Sequence, residues 1–400
     1  MEIVELLIGS GADLNAEDGS DRAPLYRAVD KNHPKVVGLL ATNGADVNAK
    51  DKYNRTSLYI AYQRGDDEII DLLSKYGATG TLSYAAGAGD IEKVRELIEQ
   101  QANVNQRDEN GKTPLHRAAS MGHIDVAELL LNKGANIDTK AGLDENGSTS
   151  LQLAADKGKL HMVKLLVAKG ADVNAKIQKE GHKDRTAKSL ALGRNYKEIV
   201  EFLYAHGADI PKIHLAAYRG DLEAVKSLIE GGIEVDAKDD DGTPLHYAAM
   251  AGNEAVAQYL IDSDANTNAG NRNGWTPLHF AAIGGSDEVA RMLVAKGADV
   301  EIRSDNGQTP LLRASAEGNK EVIEVLLDNG ADVNIDDQAY GYTPLHYAAQ
   351  YGHMDVVELL IDKKASIEAQ LTTGHTPLAL AKYAGHTAIA ELLSKHEAKE

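Results

Sequence analysis

The chain has 400 residues, no cysteine and a formal net charge of −19 at neutral pH. The absence of cysteine excludes disulfide bonds and thiolate metal sites, and the negative charge argues against nucleic acid as a partner, because phosphate binding requires a basic surface. No apolar run approaches membrane-spanning length, so we expect no membrane partner. The amino terminus lacks the basic region and cleavage site of a signal peptide, and we expect a cytoplasmic protein.

The first residues predict half of a structural unit. Residues 1–15 contain one helical pattern followed by Gly-Ala-Asp, with no helical pattern before it. A half unit cannot cover its own apolar face. Two interpretations remain: the chain is a fragment or late start of a longer product, or the half unit serves as a simple cap.

A short motif then recurs at regular spacing. Its fullest copy, Gly-Trp-Thr-Pro-Leu-His-Phe-Ala-Ala, occupies residues 274–282, and its core Thr-Pro-Leu-His returns at residues 113, 243 and 343. With the weaker copies, units start near residues 23, 56, 80, 113, 149, 186, 211, 243, 276, 309, 343 and 376. Each copy is followed by a helical pattern and then by Gly-Ala-Asp-Val-Asn or a related sequence.

The residue types of the motif predict a pair of short helices. Thr276 is suited to cap the first helix, and Pro277 to its first position, where a proline loses no hydrogen bond. Seven of the nine prolines hold this position. Gly285 is expected to end the first helix, and Gly297 the second, because glycine adopts the left-handed conformation of a helix end.

The repeated unit resembles the ankyrin repeat in its Thr-Pro-Leu-His-x-Ala sequence and its period near 33 residues. The resemblance covers essentially the whole chain. It implies an all-α repeat solenoid of helix-turn-helix pairs with β-turn or hairpin fingers, and the spacing gives about twelve full repeats plus the amino-terminal half repeat. We use "finger" for the turn segment that precedes each first helix.

Two unit spacings, of 24 and 25 residues, lack the finger and divide the chain into the blocks 1–79, 80–210 and 211–400. We favour one continuous stack; independent blocks or a bend at these seams are the alternative. The middle block has two long fingers, at residues 140–146 and 176–185. The second is basic and either contacts an acidic partner or, as we prefer, is a solvated loop.

The histidines of the motif are candidates for metal ligands or catalytic residues. His116, His246, His279 and His346 share one position of the repeat, and the resemblance implies that this histidine makes structural hydrogen bonds between turns. No nucleophile–base pair, P-loop or dinucleotide-binding pattern is present. We therefore expect no enzyme activity, no cofactor and no metal site within these residues.

The last block carries the candidate binding residues. Acidic residues there outnumber Lys and Arg by 30 to 15, which favours a basic partner. Aromatic and methionine side chains, typical of interface hot spots, occupy positions of its first helices and fingers that the buried face does not use. The proposed binding stripe consists of Tyr247, Met250, Trp275, Phe280, Ile283, Tyr340, Tyr342, Tyr347, Tyr351 and Tyr383. The alternative is that several of these side chains fill gaps between repeats.

These observations predict a non-enzymatic interaction scaffold, expected to be monomeric. The resemblance implies that a partner protein or peptide binds on the concave face formed by fingers and first helices. The alternative is that the chain is the recognition portion of a larger enzyme, effector or channel whose amino-terminal part is missing.

Overall fold

The computed structural model of the chain describes residues 2–53, 55–64, 66–78, 81–108, 110–142, 147–177 and 185–397. Much of the two long fingers, residues 143–146 and 178–184, lies outside the described residues. The chain divides into two compact units. Unit 1 comprises residues 1–191 and 198–208, and unit 2 comprises residues 192–197 and 209–400. The division into three blocks and the continuity of the stack stay predictions.

The described residues form one single helix followed by twelve helix pairs, which confirms the predicted all-α repeat fold and its half repeat. The helices of residues 1–208 are α1 (Glu2–Gly9), α2 (Pro24–Asp30), α3 (Pro34–Thr42), α4 (Ser57–Arg64), α5 (Asp67–Lys75), α6 (Thr81–Ala88), α7 (Ile91–Glu99), α8 (Pro114–Met121), α9 (Ile124–Asn132), α10 (Ser150–Asp156), α11 (Leu160–Ala168), α12 (Ala187–Leu192) and α13 (Lys197–Ala205). The helices of residues 209–400 are α14 (Lys212–Arg219), α15 (Leu222–Glu230), α16 (Pro244–Ala251), α17 (Glu254–Asp262), α18 (Pro277–Gly284), α19 (Asp287–Ala295), α20 (Pro310–Glu317), α21 (Lys320–Asp328), α22 (Pro344–Tyr351), α23 (Met354–Asp362), α24 (Pro377–Ala384) and α25 (Thr387–Glu397).

The motif residues start and end the first helices as predicted. Thr276 has extended backbone angles before α18, and Pro277 is the first helical residue. In the next repeat the Thr309 hydroxyl accepts the N–H of Leu312 over 3.3 Å, which satisfies a donor that the helix leaves unpaired. Gly285 ends α18 with a φ of 71°. The local sequence therefore determines where each first helix begins and ends.

Within each unit, first helices pack on first helices and second helices on second helices. In unit 2 this gives a row from α14 through α16, α18, α20 and α22 to α24. Leu278, Ala281 and Ala282 of α18 are fully buried in this row. The helices approach so closely that a Cβ atom at Gly284 would overlap the carbonyl oxygen of Met250. The small residues of the motif make this close approach possible.

The fingers are turns rather than strands. Among the described residues the only β-pairing is two isolated bridges, Lys50 with Thr56 and Asp239 with Gly242. The expectation of fingers built on β-turns is thus met, without an extended hairpin in the residues that the structure describes. This leaves polar turn residues beside the ends of the first helices, where the candidate site lies.

Unit 2 includes a short segment that the repeat pattern does not assign to it. Residues 192–197 group with this unit, and the Lys197 Nζ donates to the carbonyl oxygen of Ala251 over 3.0 Å. Ala251 is the last residue of α16, so this segment reaches the carboxyl end of one first helix of unit 2.

Candidate functional site

The motif histidine links each repeat to the next finger. The backbone N–H of Thr243 donates to Nδ1 of His246 over 3.0 Å, so the ring proton resides on Nε2. That Nε2 donates to the carbonyl oxygen of Trp275 over 2.9 Å. His116, His279 and His346 repeat this arrangement. The structural role implied by the family resemblance is thereby confirmed for all four residues.

Burial keeps these rings neutral. Loss of solvation lowers the pKa of His246 from its ordinary value of 6.5 to about 4, against an opposing hydrogen bond to the Trp275 carbonyl. The same cause lowers the pKa of His116 and of His279 to about 4. A protonated ring would lose its Nδ1 acceptor, so the neutral form is the one that the fold requires.

A glutamine performs the same role in one repeat. The backbone N–H of Thr149 donates to Oε1 of Gln152 over 2.8 Å, and Nε2 donates to the Ala175 carbonyl oxygen over 2.6 Å. An amide has no titration near neutral pH and is a poor catalytic base. Its presence at the histidine position indicates that the position serves hydrogen bonding rather than catalysis.

The position after the histidine bonds back to an aspartate of its own finger. Arg27 reaches Asp18 over 2.8 Å, and Arg117 reaches Asp108 over 2.7 Å. Where the position holds tyrosine, the hydroxyl of Tyr247 donates to Asp239 over 2.6 Å. Arginine at this position is not always open to water, since the side chain of Arg117 is only 14% exposed.

Four residues of the proposed stripe are buried, so their predicted exposure is wrong. They are Tyr247, Met250, Phe280 and Ile283. The ring of Tyr247 contacts His214 and Tyr218 edge-on, with centroid distances of 5.1 and 6.3 Å. Phe280 likewise stands edge-on to His246 at 5.1 Å. For these four positions the packing alternative holds, because the adjoining helices leave no open groove above them.

The other six residues of the stripe remain accessible to different degrees. Trp275, Tyr342 and Tyr347 are partly buried, whereas Tyr340, Tyr351 and Tyr383 are exposed by 63%, 54% and 93%. Three of them form a continuous row, with centroid distances of 4.9 Å between Tyr342 and Tyr347 and 6.4 Å between Tyr347 and Tyr351. We call Tyr342, Tyr347 and Tyr351 the tyrosine row.

The tyrosine row borders a cleft between two fingers. This finger cleft has a volume of about 620 Å³ and lies between residues 305–308 and 337–342. The sequence prediction included its tyrosines, Tyr340, Tyr342 and Tyr347, but missed Asp305, Gln308 and Asp337. The unit spacing indicates an unusual finger at this place. The step from residue 309 to residue 343 is 34 residues, one more than the usual 33, so the finger between them has one extra residue.

The described part of the chain has neither a metal-binding cluster nor a membrane-spanning helix. No group of three or more histidine, aspartate and glutamate side chains there is arranged to hold a metal ion. No described helix combines the length and the apolar character needed to cross a membrane.

Comparison with known proteins identifies the repeat. The family model described as "Ankyrin repeats (3 copies)" matches residues 1–82, 79–141, 140–212, 213–304, 269–337 and 297–370. The chain belongs to the ankyrin repeat family. Ankyrin repeats generally mediate protein–protein interaction.

Several curated proteins share ankyrin repeat sequence with parts of the chain. An L-asparaginase of Dirofilaria immitis is 28% identical over 193 residues, which are 46% of this chain and 26% of that protein. Human ankyrin repeat domain-containing protein 49 is 44% identical over 57 residues, 14% of this chain and 24% of that protein. Mouse protein phosphatase 1 regulatory subunit 27 is 44% identical over 57 residues, 14% of this chain and 37% of that protein. The chain thus spans about a quarter of the L-asparaginase and under two fifths of the other two.

Proposed function

We propose that this ankyrin repeat protein is a non-enzymatic scaffold that binds a partner protein or peptide on the fingers and first helices of residues 211–400. The observation that carries the proposal is a group of exposed tyrosines in adjoining repeats, of which Tyr340 lines the finger cleft. Tyr340 and Tyr351 belong to one repeat and Tyr383 to the next. Large exposed aromatic side chains in adjoining repeats are typical of interaction surfaces.

The charge of the same residues supports a basic partner. Block 211–400 has 30 acidic residues and 15 Lys and Arg, a formal charge of −15. Such a field attracts a basic protein over distances near the Debye length, about 8–10 Å at physiological salt, and raises its association rate. A monomeric state and a cytoplasmic location belong to the same proposal.

Selection of binding peptides on the whole chain tests this function. A library of random displayed peptides is selected against the full-length protein, and the affinity of a selected peptide is then measured for single variants. We expect Tyr340→Ala to weaken binding by about tenfold, the effect of a moderate interface residue. Its matched control is Tyr53→Ala, because Tyr53 is also a finger tyrosine and is equally exposed, at 63%.

The proposal requires Tyr53→Ala to bind as the unchanged protein does. Equal affinities for both variants, or binding lost only in Tyr53→Ala, would contradict a site on residues 211–400. Circular dichroism melting curves of both variants serve as the folding control. Neither exposed ring has a hydrogen bond within the described residues, and we expect unchanged melting temperatures.

A second candidate function is that of a recognition portion within a larger enzyme, effector or channel. The observation that favours it is the small share of some relatives that the match covers. Serine/threonine-protein kinase 12 of Arabidopsis thaliana is 48% identical over 59 residues, only 13% of that protein. Sequencing the gene upstream of the Met1 codon tests this alternative: an open reading frame encoding an enzymatic domain supports it, and an in-frame stop codon contradicts it.

A further inference from the structure

The ankyrin fingers of this chain repeatedly pair an aspartate with an arginine. Asp108 lies 2.7 Å from the guanidinium of Arg117, and Asp51 lies 2.6 Å from that of Arg55. Both carboxylates are almost completely buried. A buried carboxylate without a nearby cation is costly, and these arginines offset that cost.

Asp337 lacks such a partner among the residues that the structure describes. It is 4% exposed, and no Lys or Arg of the described ranges lies within 4.0 Å of it. The position of the repeat that supplies Arg117 to Asp108 is here Tyr347. Asp337 Oδ1 accepts the backbone N–H groups of Tyr340, Gly341 and Tyr342 over 2.9–3.2 Å. Within the described part of the chain, its Oδ2 accepts only from the hydroxyl of Tyr347, at 3.4 Å. The carboxylate therefore keeps capacity to accept a further donor.

A second side chain of the finger cleft also has capacity to accept a hydrogen bond. Gln308 is 7% exposed, and its Oε1 has no hydrogen-bond partner within the described residues. Its Nε2 donates to the hydroxyl of Tyr347 over 3.0 Å, which leaves that hydroxyl to donate toward Asp337. Burial raises the pKa of Tyr347 to about 12, so the hydroxyl keeps its proton. The residues that line the cleft therefore include two buried acceptors with capacity for a further donor.

The guanidinium of Arg303, in the finger before the cleft, donates to backbone carbonyl oxygens. Arg303 Nη1 donates to the carbonyl oxygens of Gly307 and Asp336, over 2.8 and 2.6 Å. Asp305 lines the cleft with an exposed side chain and adds a second negative charge. Among the residues that line the cleft, the charged ones are Asp305 and Asp337.

Aromatic rings complete the environment of a cation. Tyr342 and Tyr347 stack at 4.9 Å along one side of the cleft, and Tyr340 stands exposed at its rim. A guanidinium packs on an aromatic face elsewhere in unit 2, where that of Arg313 lies 5.2 Å from the ring centroid of Trp275. Guanidinium groups combine stacking on rings with several planar N–H donors.

We propose that the finger cleft binds an arginine side chain of an extended basic protein segment, its guanidinium donating to Asp337 and Gln308 and stacking against the tyrosine rings. This inference rests on the proposed function, because it names the chemistry of the partner at the same surface. We expect the cleft to bind arginine more tightly than lysine. A planar group with five N–H donors can donate to two acceptors and stack on a ring at the same time.

The peptides selected on the full-length chain provide the test. Each selected peptide is synthesised in three forms, with its arginine retained, replaced by lysine, or replaced by citrulline, which keeps the planar shape without the charge. We expect citrulline to weaken binding by at least about tenfold and lysine to have an intermediate effect. Asp305→Asn should reduce affinity for the arginine form by about fivefold and for the citrulline form hardly at all.

Glu321→Gln is the matched control, because Glu321 is an exposed acid on the second helix α21. It removes one negative charge, as Asp305→Asn does, and should leave affinity unchanged. Selected peptides without arginine, or binding insensitive to both citrulline and Asp305→Asn, would overturn the cleft proposal and leave the proposed function standing. Failure to select any binding peptide would count against both.

Discussion

Nε2 of His246 donates to the carbonyl oxygen of Trp275 over 2.9 Å, and this bond joins the first helix of one repeat to the finger of the next. Nδ1 of the same ring accepts the backbone N–H of Thr243. One side chain thus satisfies two buried backbone groups that belong to different repeats. The fold depends on the neutral form of this ring, which leads to the first prediction.

Stability should decrease as pH falls from about 6.5 to about 4. The pKa values of His116, His246 and His279 are lowered to about 4 in the folded chain, from an ordinary value of 6.5. In this window the unfolded chain binds protons that the folded chain does not, so the free energy of unfolding falls with pH. Each histidine should lower the free energy of unfolding by roughly 3 kcal/mol between pH 6.5 and pH 4. Urea unfolding at a series of pH values measures the effect.

Glutamine should replace His246 with little loss of stability at neutral pH. Gln152 already makes both hydrogen bonds in another repeat. His246→Gln should cost under about 1 kcal/mol, whereas His246→Ala leaves the Thr243 N–H and the Trp275 carbonyl unpaired and should cost about 2–5 kcal/mol. The glutamine variant should also show a weaker pH dependence. Equal losses for both variants would contradict the bridging role of the ring.

Two glycine substitutions should have opposite effects. A methyl group at Gly284 would overlap the carbonyl oxygen of Met250, so Gly284→Ala should destabilise unit 2 by about 1–3 kcal/mol. Gly38 lies within helix α3, where the nearest atom to a Cβ is Leu72 Cδ2 at 3.8 Å. Gly38→Ala should therefore stabilise by about 0.5–1 kcal/mol. Thermal unfolding of each variant tests the pair, and a gain in both would mean that α16 and α18 are not in close contact.

The buried and the exposed tyrosines of the predicted stripe should behave differently. Tyr247 is fully buried and bonded to Asp239, and Tyr247→Ala should cost about 3–5 kcal/mol. Tyr383 is 93% exposed, and Tyr383→Ala should change stability by less than about 0.5 kcal/mol. Urea unfolding compares them. A stable Tyr247→Ala protein would show that this ring is not part of the core.

The sequence was sufficient to predict the helices because their boundaries depend on local chemistry. Threonine before proline starts a helix, and glycine ends it, whatever the surroundings. The burial of Phe280 and Ile283 could not be predicted from local sequence in this way. Their burial depends on how closely α16 and α18 approach, and that distance is determined by pairs of residues on different helices, such as Gly284 and Met250.

The finger cleft was missed for a related reason. Its acceptors, Gln308 and Asp337, belong to different fingers and meet only when the two repeats stack. In sequence, Asp337 resembles the other finger aspartates. Its lack of an arginine partner becomes apparent only when the contacts of Asp108 and Asp51 are compared with its own.

Hydrogen exchange of the full-length chain, with and without a selected peptide, tests the central claim most directly. We expect slower exchange on binding in residues 304–308 and 337–351, which include most of the finger cleft and the tyrosine row, and unchanged exchange in the second helices α19, α21 and α23. Protection confined to those second helices or to residues 2–208 would contradict it.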